Sequence, residues 1–154
     1  MSYDIFEITA KCHLTKARTG NLLLSRGVVK TPAFLSIGTL GTVKTLTMPE
    51  LKKSGAQVLL SNTYHIWLKP GLEVLEKCGG LHNFNSWPGP ILTDSGGFQM
   101  FSLRKTHKYD EAGITFTVPE NGDKKFLSPE ESMRIQTIIN SDIALVLDSL
   151  PAEE

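Results

Sequence analysis

The stretch AQVLLSNTYH, residues 56–65, is largely apolar over its first five residues and polar after them. A continuous apolar run such as 56–60 is typical of a strand in a parallel sheet that is buried on both faces. PILTD at 90–94 and DIALVL at 142–147 have the same character. Helical segments lie between the three runs, so the alternation predicts an α/β fold in which the runs are neighbouring parallel strands.

Three helices are predicted around these runs. Thr47-Met-Pro-Glu50 combines a hydroxyl N-cap, a proline in the first turn and a glutamate three residues after the cap, which predicts a helix that ends near Gly55. Residues 71–78 form the second predicted helix. Ser128-Pro129-Glu130-Glu131 is a strong start signal for the third, which runs to about Asn140.

Two segments lie outside this alternation. The first 31 residues predict a small antiparallel sheet of short strands, at residues 3–10, 20–24 and 28–30. An apolar strand at 33–37 follows them. ITFTV and KKFLS alternate with a period of two around a turn at Asn121-Gly122, which predicts a β-hairpin insertion near 114–127. Without an internal repeat or linker, residues 1–154 are interpreted as a single domain, with 1–31 as the antiparallel sheet and 32–154 as strand–helix units.

The composition limits the class of protein. The chain has 154 residues, of which 40% are hydrophobic and 21% are charged, as in ordinary globular proteins. Sixteen basic and sixteen acidic residues cancel, so a nucleic-acid partner has to be argued from a local site. No apolar run approaches the roughly 20 residues of a membrane helix, and the first residues do not resemble a signal peptide. We expect Cys12 and Cys78 to be reduced core thiols of a cytoplasmic protein, a single disulfide being the alternative.

Polar residues follow each apolar run, and they are Asn62 and Thr63, Asp94 and Ser95, and Asp148 and Ser149. In parallel α/β folds ligands bind at the carboxyl ends of the strands, so a site is predicted there with Asp94 and Asp148 on one rim. Gly96-Gly97 favours a functional Asp94, because glycines let the backbone approach a ligand and leave amides free to bind an oxygen atom. The alternative is that these polar residues only form turns or cap helices.

LTDSGGFQMFSL, residues 92–103, resembles the signature of the tRNA-guanine transglycosylase family. Four other stretches resemble further blocks of that family in the same order: TPAFLSIGTLGTVK (31–44), LLSNTYHIWLKPG (59–71), NGDKKFLSPEESMRIQ (121–136) and SDIALVLD (141–148). The resemblance covers nearly the whole chain, from about residue 6 to residue 148. It identifies the chain as the N-terminal part of a family member.

This resemblance implies a fold and an activity. The fold is the N-terminal portion of a (β/α)8 TIM-type barrel preceded by a small antiparallel sheet. The activity is the exchange of guanine at the anticodon wobble position of tRNA for queuine or a deazaguanine precursor in the queuosine pathway. The implied partners are tRNA, the base, and a transglycosylase subunit in a homo- or heterodimer, without a membrane span.

The resemblance implies that the nucleophilic aspartate and the zinc site of the family lie beyond residue 154. We therefore expect no cofactor within this chain and no base exchange by the chain alone. The alternative is a truncated, non-catalytic paralogue that binds the base or pairs with another subunit.

The resemblance also assigns roles to site residues. Asp94 matches the proton acceptor and base-binding group, and Asp148 matches the carboxylate that binds the N–H edge of the base. The loop that holds the incoming base is matched by Ser95, Gly96, Gly97 and Phe98, with the Phe98 ring against its flat face. The chemistry agrees, because carboxylates accept adjacent N–H donors, a planar base needs an aromatic platform, and exchange needs a proton acceptor. We expect Asp94→Asn to impair exchange with little effect on folding.

Other residues leave alternatives open. Several basic side chains either contact tRNA phosphates or are ordinary solvated residues. They are Arg104, Lys105, His107, Lys108, Lys124 and Lys125. His65 either touches the site or is a packed, hydrogen-bonded histidine. Leu150 follows Asp148 in a stretch that lines the base pocket of the family, and it either alters the choice of base or marks a segment that has drifted.

Overall fold

The structure of the chain is a computed structural model that describes residues 5–103, 107–119 and 121–148. Within these ranges the fold is mixed α/β. The strands are β1 (Phe6–Lys11), β2 (Arg18–Leu24), β3 (Gly27–Thr31), β4 (Leu35–Ile37), β5 (Val58–Ser61), β6 (Ile91–Thr93), β7 (His107–Asp110), β8 (Gly113–Thr117), β9 (Lys124–Leu127) and β10 (Ile143–Ala144). The helices are α1 (Met48–Lys53), α2 (Thr63–Ile66), α3 (Leu72–Cys78), α4 (Leu81–Asn85), α5 (Gly97–Leu103) and α6 (Pro129–Ile139). A kinked turn, Trp67–Gly71, joins α2 to α3.

The central sheet is parallel and has the order β10-β6-β5-β4. The predicted arrangement of three neighbouring parallel strands is confirmed, and β4 adds the strand predicted at 33–37. Ser61 is in register with Thr93, and Thr93 is in register with Ala144. The carboxyl ends of β5, β6 and β10 therefore meet at one rim.

The last strand of this sheet is shorter than predicted. The run 142–147 was expected to be a strand throughout, but β10 covers only Ile143–Ala144. In the described part of the chain β10 pairs with β6 alone, so it is an edge strand. Beyond Ala144 the chain makes one further backbone bond, from Leu145 N to Thr93 O, before it leaves the sheet.

Two antiparallel sheets accompany the parallel one. The predicted N-terminal sheet is confirmed, with the order β1-β2-β3. The predicted hairpin is confirmed as β8 and β9, and β7 joins it as a third strand that was not predicted. The hairpin packs into the core, because Ile114, Phe116 and Leu127 are almost fully buried there.

The helix-start signals act as predicted. The Thr47 hydroxyl accepts a hydrogen bond from the Glu50 amide, and the Glu50 carboxylate accepts one from the Thr47 amide, which completes a capping box for α1. The Ser128 hydroxyl accepts from the Glu131 amide at 3.1 Å at the start of α6. Helix α2 was missed, since it has only four residues and no side-chain cap. None of the helices in the described ranges is long and apolar enough to span a membrane.

The prediction about the cysteines is wrong in one respect. Cys12 is exposed in the turn between β1 and β2, so it is not a core residue. Cys78 is partly buried at the end of α3. Both thiols are free, in agreement with the expectation of reduced cysteines.

Asp142 fastens the N-terminal sheet to the amino end of the parallel sheet. Its carboxylate is fully buried and accepts hydrogen bonds from Ser25 Oγ at 3.1 Å, Arg26 Nη1 at 3.0 Å and the Ile91 amide at 2.9 Å. Burial alone would raise the pKa of Asp142, but these hydrogen bonds and the Arg26 charge outweigh it and hold the pKa below its ordinary value.

His82 lies beside this carboxylate, with Nε2 3.2 Å from Asp142 Oδ2. Burial lowers the pKa of His82, and the nearby Arg26 charge lowers it further. The Asp142 carboxylate acts in the opposite direction and is outweighed. The imidazole is therefore held in its neutral form more strongly than a solvated histidine.

A second contact between the N-terminal sheet and the parallel sheet joins β3 to Gln57, the residue before β5. The side-chain amide of Gln57 accepts from the Lys30 amide at 2.9 Å and donates to the Lys30 carbonyl at 3.2 Å. The Gln57 side chain thus bonds to both backbone groups of Lys30.

Candidate functional site

The polar residues at the carboxyl ends of β5, β6 and β10 converge as predicted. Thr63 follows β5, Asp94 and Ser95 follow β6, and Asp148 lies four residues after β10. Ser95 Oγ donates a hydrogen bond to Asp148 Oδ1 at 2.6 Å. Asp94 and Ser95 are consecutive residues of one loop, and Ser95 bonds to Asp148. The sequence prediction that Asp94 and Asp148 lie on one rim is therefore confirmed.

The carboxylate of Asp94 is held by four donors. Oδ1 accepts from the Thr63 amide at 2.9 Å and from the Gly96 amide at 3.2 Å. Oδ2 accepts from Asn62 Nδ2 at 2.5 Å and from Gln99 Nε2 at 2.7 Å. A carboxylate offers about four lone-pair positions, so these donors fill its acceptor capacity.

This arrangement means that a ligand donor can reach Asp94 only by displacing one of the four. The two backbone amides are fixed by the fold, whereas the two side-chain amides can rotate. The Oε1 atom of Gln99 is buried and has no hydrogen-bond partner among the described residues. Displacement of Gln99 Nε2 would open Oδ2 to an incoming N–H group.

The two glycines have a different role from the one predicted. Their amides were expected to be free, but Gly96 N donates to Asp94 Oδ1 and Gly97 N donates to Ser95 Oγ, each at 3.2 Å. Gly96 has a φ of +85°, which favours glycine. A Cβ on Gly97 would lie 3.0 Å from the Asp148 carbonyl oxygen. Glycine therefore allows the loop to pack closely against the segment that carries Asp148.

Asp148 is exposed, in contrast to Asp94. Its Oδ2 atom makes no hydrogen bond within the described ranges. It lines an open cavity of about 100 Å³ together with Asp110 and Glu111. Asp94 does not line this cavity, since its carboxylate points toward Asn62 and Gln99. The cavity is thus an acceptor-rich opening beside the rim.

The Phe98 side chain is 55% exposed in the first turn of α5, so its ring is accessible to a ligand. His65 packs edge-on against Tyr64, with ring centroids 5.2 Å apart. Lys125 places Nζ 5.0 Å from the centre of the Trp67 ring, and Lys124 is exposed. Six residues for which the sequence indicated a role have side chains that lie outside the described part of the structure. They are Arg104, Lys105, His107, Lys108, Ser149 and Leu150.

Three residues that hold the site were missed by sequence reasoning. Gln99 lies in the stretch LTDSGGFQMFSL, but no role was predicted for it. Ser132 and Gln136 lie four positions apart on α6, and both are buried. Two polar residues on the face of α6 that also buries Ile135 and Ile139 are the signal that could have identified them, because buried polar groups require partners.

A metal site is not formed by the described residues, which contain no group of three or more His, Cys, Asp or Glu side chains able to hold an ion. The expectation that no cofactor binds within this chain stays a prediction.

The fold and the rim define a class: an α/β protein with a parallel sheet whose carboxyl-end loops carry two carboxylates joined through one serine. The family model described as queuine tRNA-ribosyltransferase matches residues 12–154. The chain therefore belongs to the queuine tRNA-ribosyltransferase family, as the resemblance indicated.

Curated relatives agree with this family. The queuine tRNA-ribosyltransferase of Nitrosomonas eutropha is 56% identical over 137 residues, which is 89% of this chain and 38% of that protein. The protein of the same name from Nitrosospira multiformis is 55% identical over 141 residues, or 90% and 38%. That from Chromobacterium violaceum is 58% identical over 132 residues, or 86% and 36%. The chain thus spans less than two fifths of the length of these relatives.

Proposed function

We propose that this chain supplies the base-binding side of a site that exchanges guanine in tRNA for queuine or a related deazaguanine. The observation that carries the proposal is the hydrogen bond from Ser95 Oγ to Asp148 Oδ1, which fixes one carboxylate beside the loop that bears the other. Family membership supports the same reaction, because the relatives are named for it.

The proposed roles follow from the geometry of the two carboxylates. Asp148 has an oxygen without a hydrogen bond in the described ranges and accepts the N–H edge of the base. Asp94 takes the proton from the incoming ring nitrogen after Gln99 releases its Oδ2 atom. The exposed ring of Phe98 covers the flat face of the base. Ser95, Gly96 and Gly97 hold the loop between these groups.

We also propose that the parallel sheet belongs to the N-terminal portion of a (β/α)8 barrel and that residues 1–154 form one domain. Consecutive neighbours in the order β4-β5-β6-β10 support this, since barrel strands follow one another in that way. Exposed apolar residues border the two edge strands, namely Phe34, Ile37, Leu145 and Val146. Further strands would cover them.

The partners proposed on the same basis are tRNA, the base and a second transglycosylase subunit. The cytoplasm, where tRNA is modified, is the proposed location. The zinc site that the family resemblance implies is proposed to lie outside residues 1–154.

The test uses a chimera in which the matched 137-residue segment of the Nitrosomonas eutropha relative is replaced by the corresponding segment of this chain. We expect the chimera to incorporate labelled guanine into tRNA that has guanine at the wobble position. An active parent enzyme and a folded but inactive chimera would overturn the proposed function. Calorimetry of guanine binding to the 154-residue chain tests base recognition separately.

The alternative is a non-catalytic protein that binds the base or another subunit. It is favoured for the chain alone, because no residue among 1–154 matches the family nucleophile. Guanine binding without exchange by the chain, together with exchange by the chimera, assigns base recognition to this sequence and the nucleophile to the rest of the enzyme. Exchange by the chain alone would contradict this division.

A further inference from the structure

Two buried polar residues on α6 contact both segments that form the rim. Ser132 and Gln136 are 0% and 1% exposed, and their spacing of four places them on the same face of the helix. Ser132 Oγ donates to the Ser95 carbonyl at 2.7 Å. Gln136 Nε2 donates to Ser132 Oγ at 3.2 Å, so the two side chains are themselves joined. We call them the α6 pair.

Gln136 contacts β6 and β10 near the residues at which these two strands end. Its Nε2 donates to the Leu145 carbonyl at 2.8 Å, and its Oε1 accepts from the Leu145 amide at 3.0 Å. The same Oε1 accepts from Thr93 Oγ1 at 2.7 Å. The side-chain amide of Gln136 is therefore bonded to Thr93, which directly precedes Asp94, and to Leu145, which lies three positions before Asp148.

These contacts close a ring of hydrogen bonds and covalent chain. The ring runs from Gln136 to Leu145, along the chain to Asp148, across to Ser95, and back through Ser132. Residues 144–146 are exposed, so the α6 pair restrains a segment that otherwise has little packing. Both ends of the Ser95–Asp148 bond are thus held by the same helix.

We infer that Ser132 and Gln136 are positioning residues that set the placement of Asp148 relative to the Asp94–Ser95 loop and thereby the affinity for the base. This inference rests on the proposed function for its ligand. A purely structural role would require only that the buried polar groups be satisfied, and loss of it would lower stability alone. A positioning role also requires that base recognition change while the protein stays folded.

The test compares Gln136→Met with Gln57→Met. Methionine keeps the length of glutamine and removes its hydrogen bonds. Gln57 bonds to both the amide and the carbonyl of Lys30, as Gln136 does with Leu145, but it lies at the opposite end of the sheet. In the chimera we expect Gln136→Met to raise the KM for guanine by roughly tenfold or more, with the KM for tRNA unchanged within about twofold. Gln57→Met should change neither value beyond about twofold.

Ser132→Ala is the second variant, in case Gln136→Met does not fold. It removes the bond to the Ser95 carbonyl and should raise the KM for guanine in the same direction. Thr137→Val is its control, because the Thr137 hydroxyl on the same helix donates only to the Met133 carbonyl. A folded Gln136→Met or Ser132→Ala protein with an unchanged KM for guanine would overturn the inference, and so would an equal change in the controls.

A crystal structure of Ser132→Ala or Gln136→Met decides the inference even if the unmodified chimera is inactive. We expect the separation of Ser95 Oγ and Asp148 Oδ1 to increase from 2.6 Å beyond hydrogen-bond distance. An unchanged separation would contradict the positioning role. Inactivity of the unmodified chimera would contradict only the proposed function.

Discussion

Ser95 Oγ lies 2.6 Å from Asp148 Oδ1, and this hydrogen bond joins two residues that are 53 positions apart in the chain. The hydroxyl also accepts from the Gly97 amide at 3.2 Å, so its donor hydrogen is directed at the carboxylate. Asp148 has no other side-chain hydrogen bond in the described ranges. The orientation of this exposed carboxylate therefore depends on Ser95.

The first prediction concerns the loss of that hydroxyl. Ser95→Ala releases one oxygen of Asp148 for the base but also removes the contact that orients the carboxylate. We expect the second effect to dominate and guanine to bind roughly tenfold more weakly, since a hydrogen bond to a charged group contributes about 1.5–3 kcal/mol. Calorimetry with guanine measures the affinity. Ser54→Ala is the control, because that hydroxyl donates to a backbone carbonyl in α1. Tighter binding by Ser95→Ala would contradict the prediction.

The second prediction concerns Asp94→Asn in the chimera. Asparagine cannot accept the proton of the incoming base, so exchange should fall by about 10²- to 10⁴-fold. The sequence led us to expect little effect on folding, but the four donors around Asp94 change that expectation. The amide group of asparagine would face two donors, which costs about 1–3 kcal/mol.

The exchange rate and a thermal melt of Asp94→Asn are measured together. A near-normal rate would remove the catalytic role of Asp94. Gln57→Met provides a matched loss of hydrogen bonds away from the site, and its rate should remain near that of the unmodified chimera. The melt shows how much of any loss follows from unfolding.

The parts of the fold that the sequence predicted are those with local signals. The apolar runs identified the parallel strands, and the caps at Thr47 and Ser128 identified α1 and α6. The short length of β10 could not be predicted from its apolar run, because the contacts of Leu145 with Thr93 and with the Gln136 side chain join residues far apart in the sequence. The short helix α2 has only four residues, and its N-cap Asn62 donates to Asp94 instead of capping the helix, so the segment resembled a loop.

For the site, the sequence predicted where the main residues lie but not how their side chains are oriented. Residue types and strand ends placed Asp94 and Asp148 on one rim, because parallel strands align their carboxyl ends. The orientation of each carboxylate depends on contacts between residues far apart in the sequence, such as Asn62 with Asp94. The glycine amides illustrate the limit: composition suggested free donors, whereas Gly96 and Gly97 bond to side chains of their own loop.

The third prediction concerns Gln99. Its Nε2 atom donates to Asp94 Oδ2 at 2.7 Å, and its buried Oε1 has no hydrogen-bond partner among the described residues. Gln99→Met keeps the length of the side chain and opens the carboxylate to a ligand. We expect guanine to bind roughly three- to tenfold more tightly, because it no longer has to displace an amide. Calorimetry measures this, with Gln57→Met as control. Weaker binding would indicate that Gln99 itself contacts the base or supports the site.

The fourth prediction concerns pH and the buried contact between His82 and Asp142. The fold holds the pKa of His82 below its ordinary value of about 6.5, through burial and the Arg26 charge. The unfolded chain therefore binds this proton more readily than the folded chain does. Stability is highest above pH 6.5 and is lost as the pH falls from there through the lower pKa of the folded state.

Asp142 contributes in a separate range of pH. Its pKa in the folded protein is lowered from the ordinary value, so its contribution is complete above about pH 4 and is lost as the pH falls through the folded value. Between pH 7 and pH 5 this carboxylate stays charged. A change in stability within that range therefore reports on His82 and not on Asp142.

Thermal melts of the chain at pH 7, 6 and 5 measure this effect. We expect the melting temperature to fall as the pH is lowered, and His82→Gln to have a smaller fall over the same range because glutamine does not titrate. His13→Gln is the control, since His13 is exposed in a turn and should leave the pH dependence unchanged. If His82→Gln and the unmodified chain lose the same number of degrees between pH 7 and pH 5, then His82 is not the group that couples folding to pH.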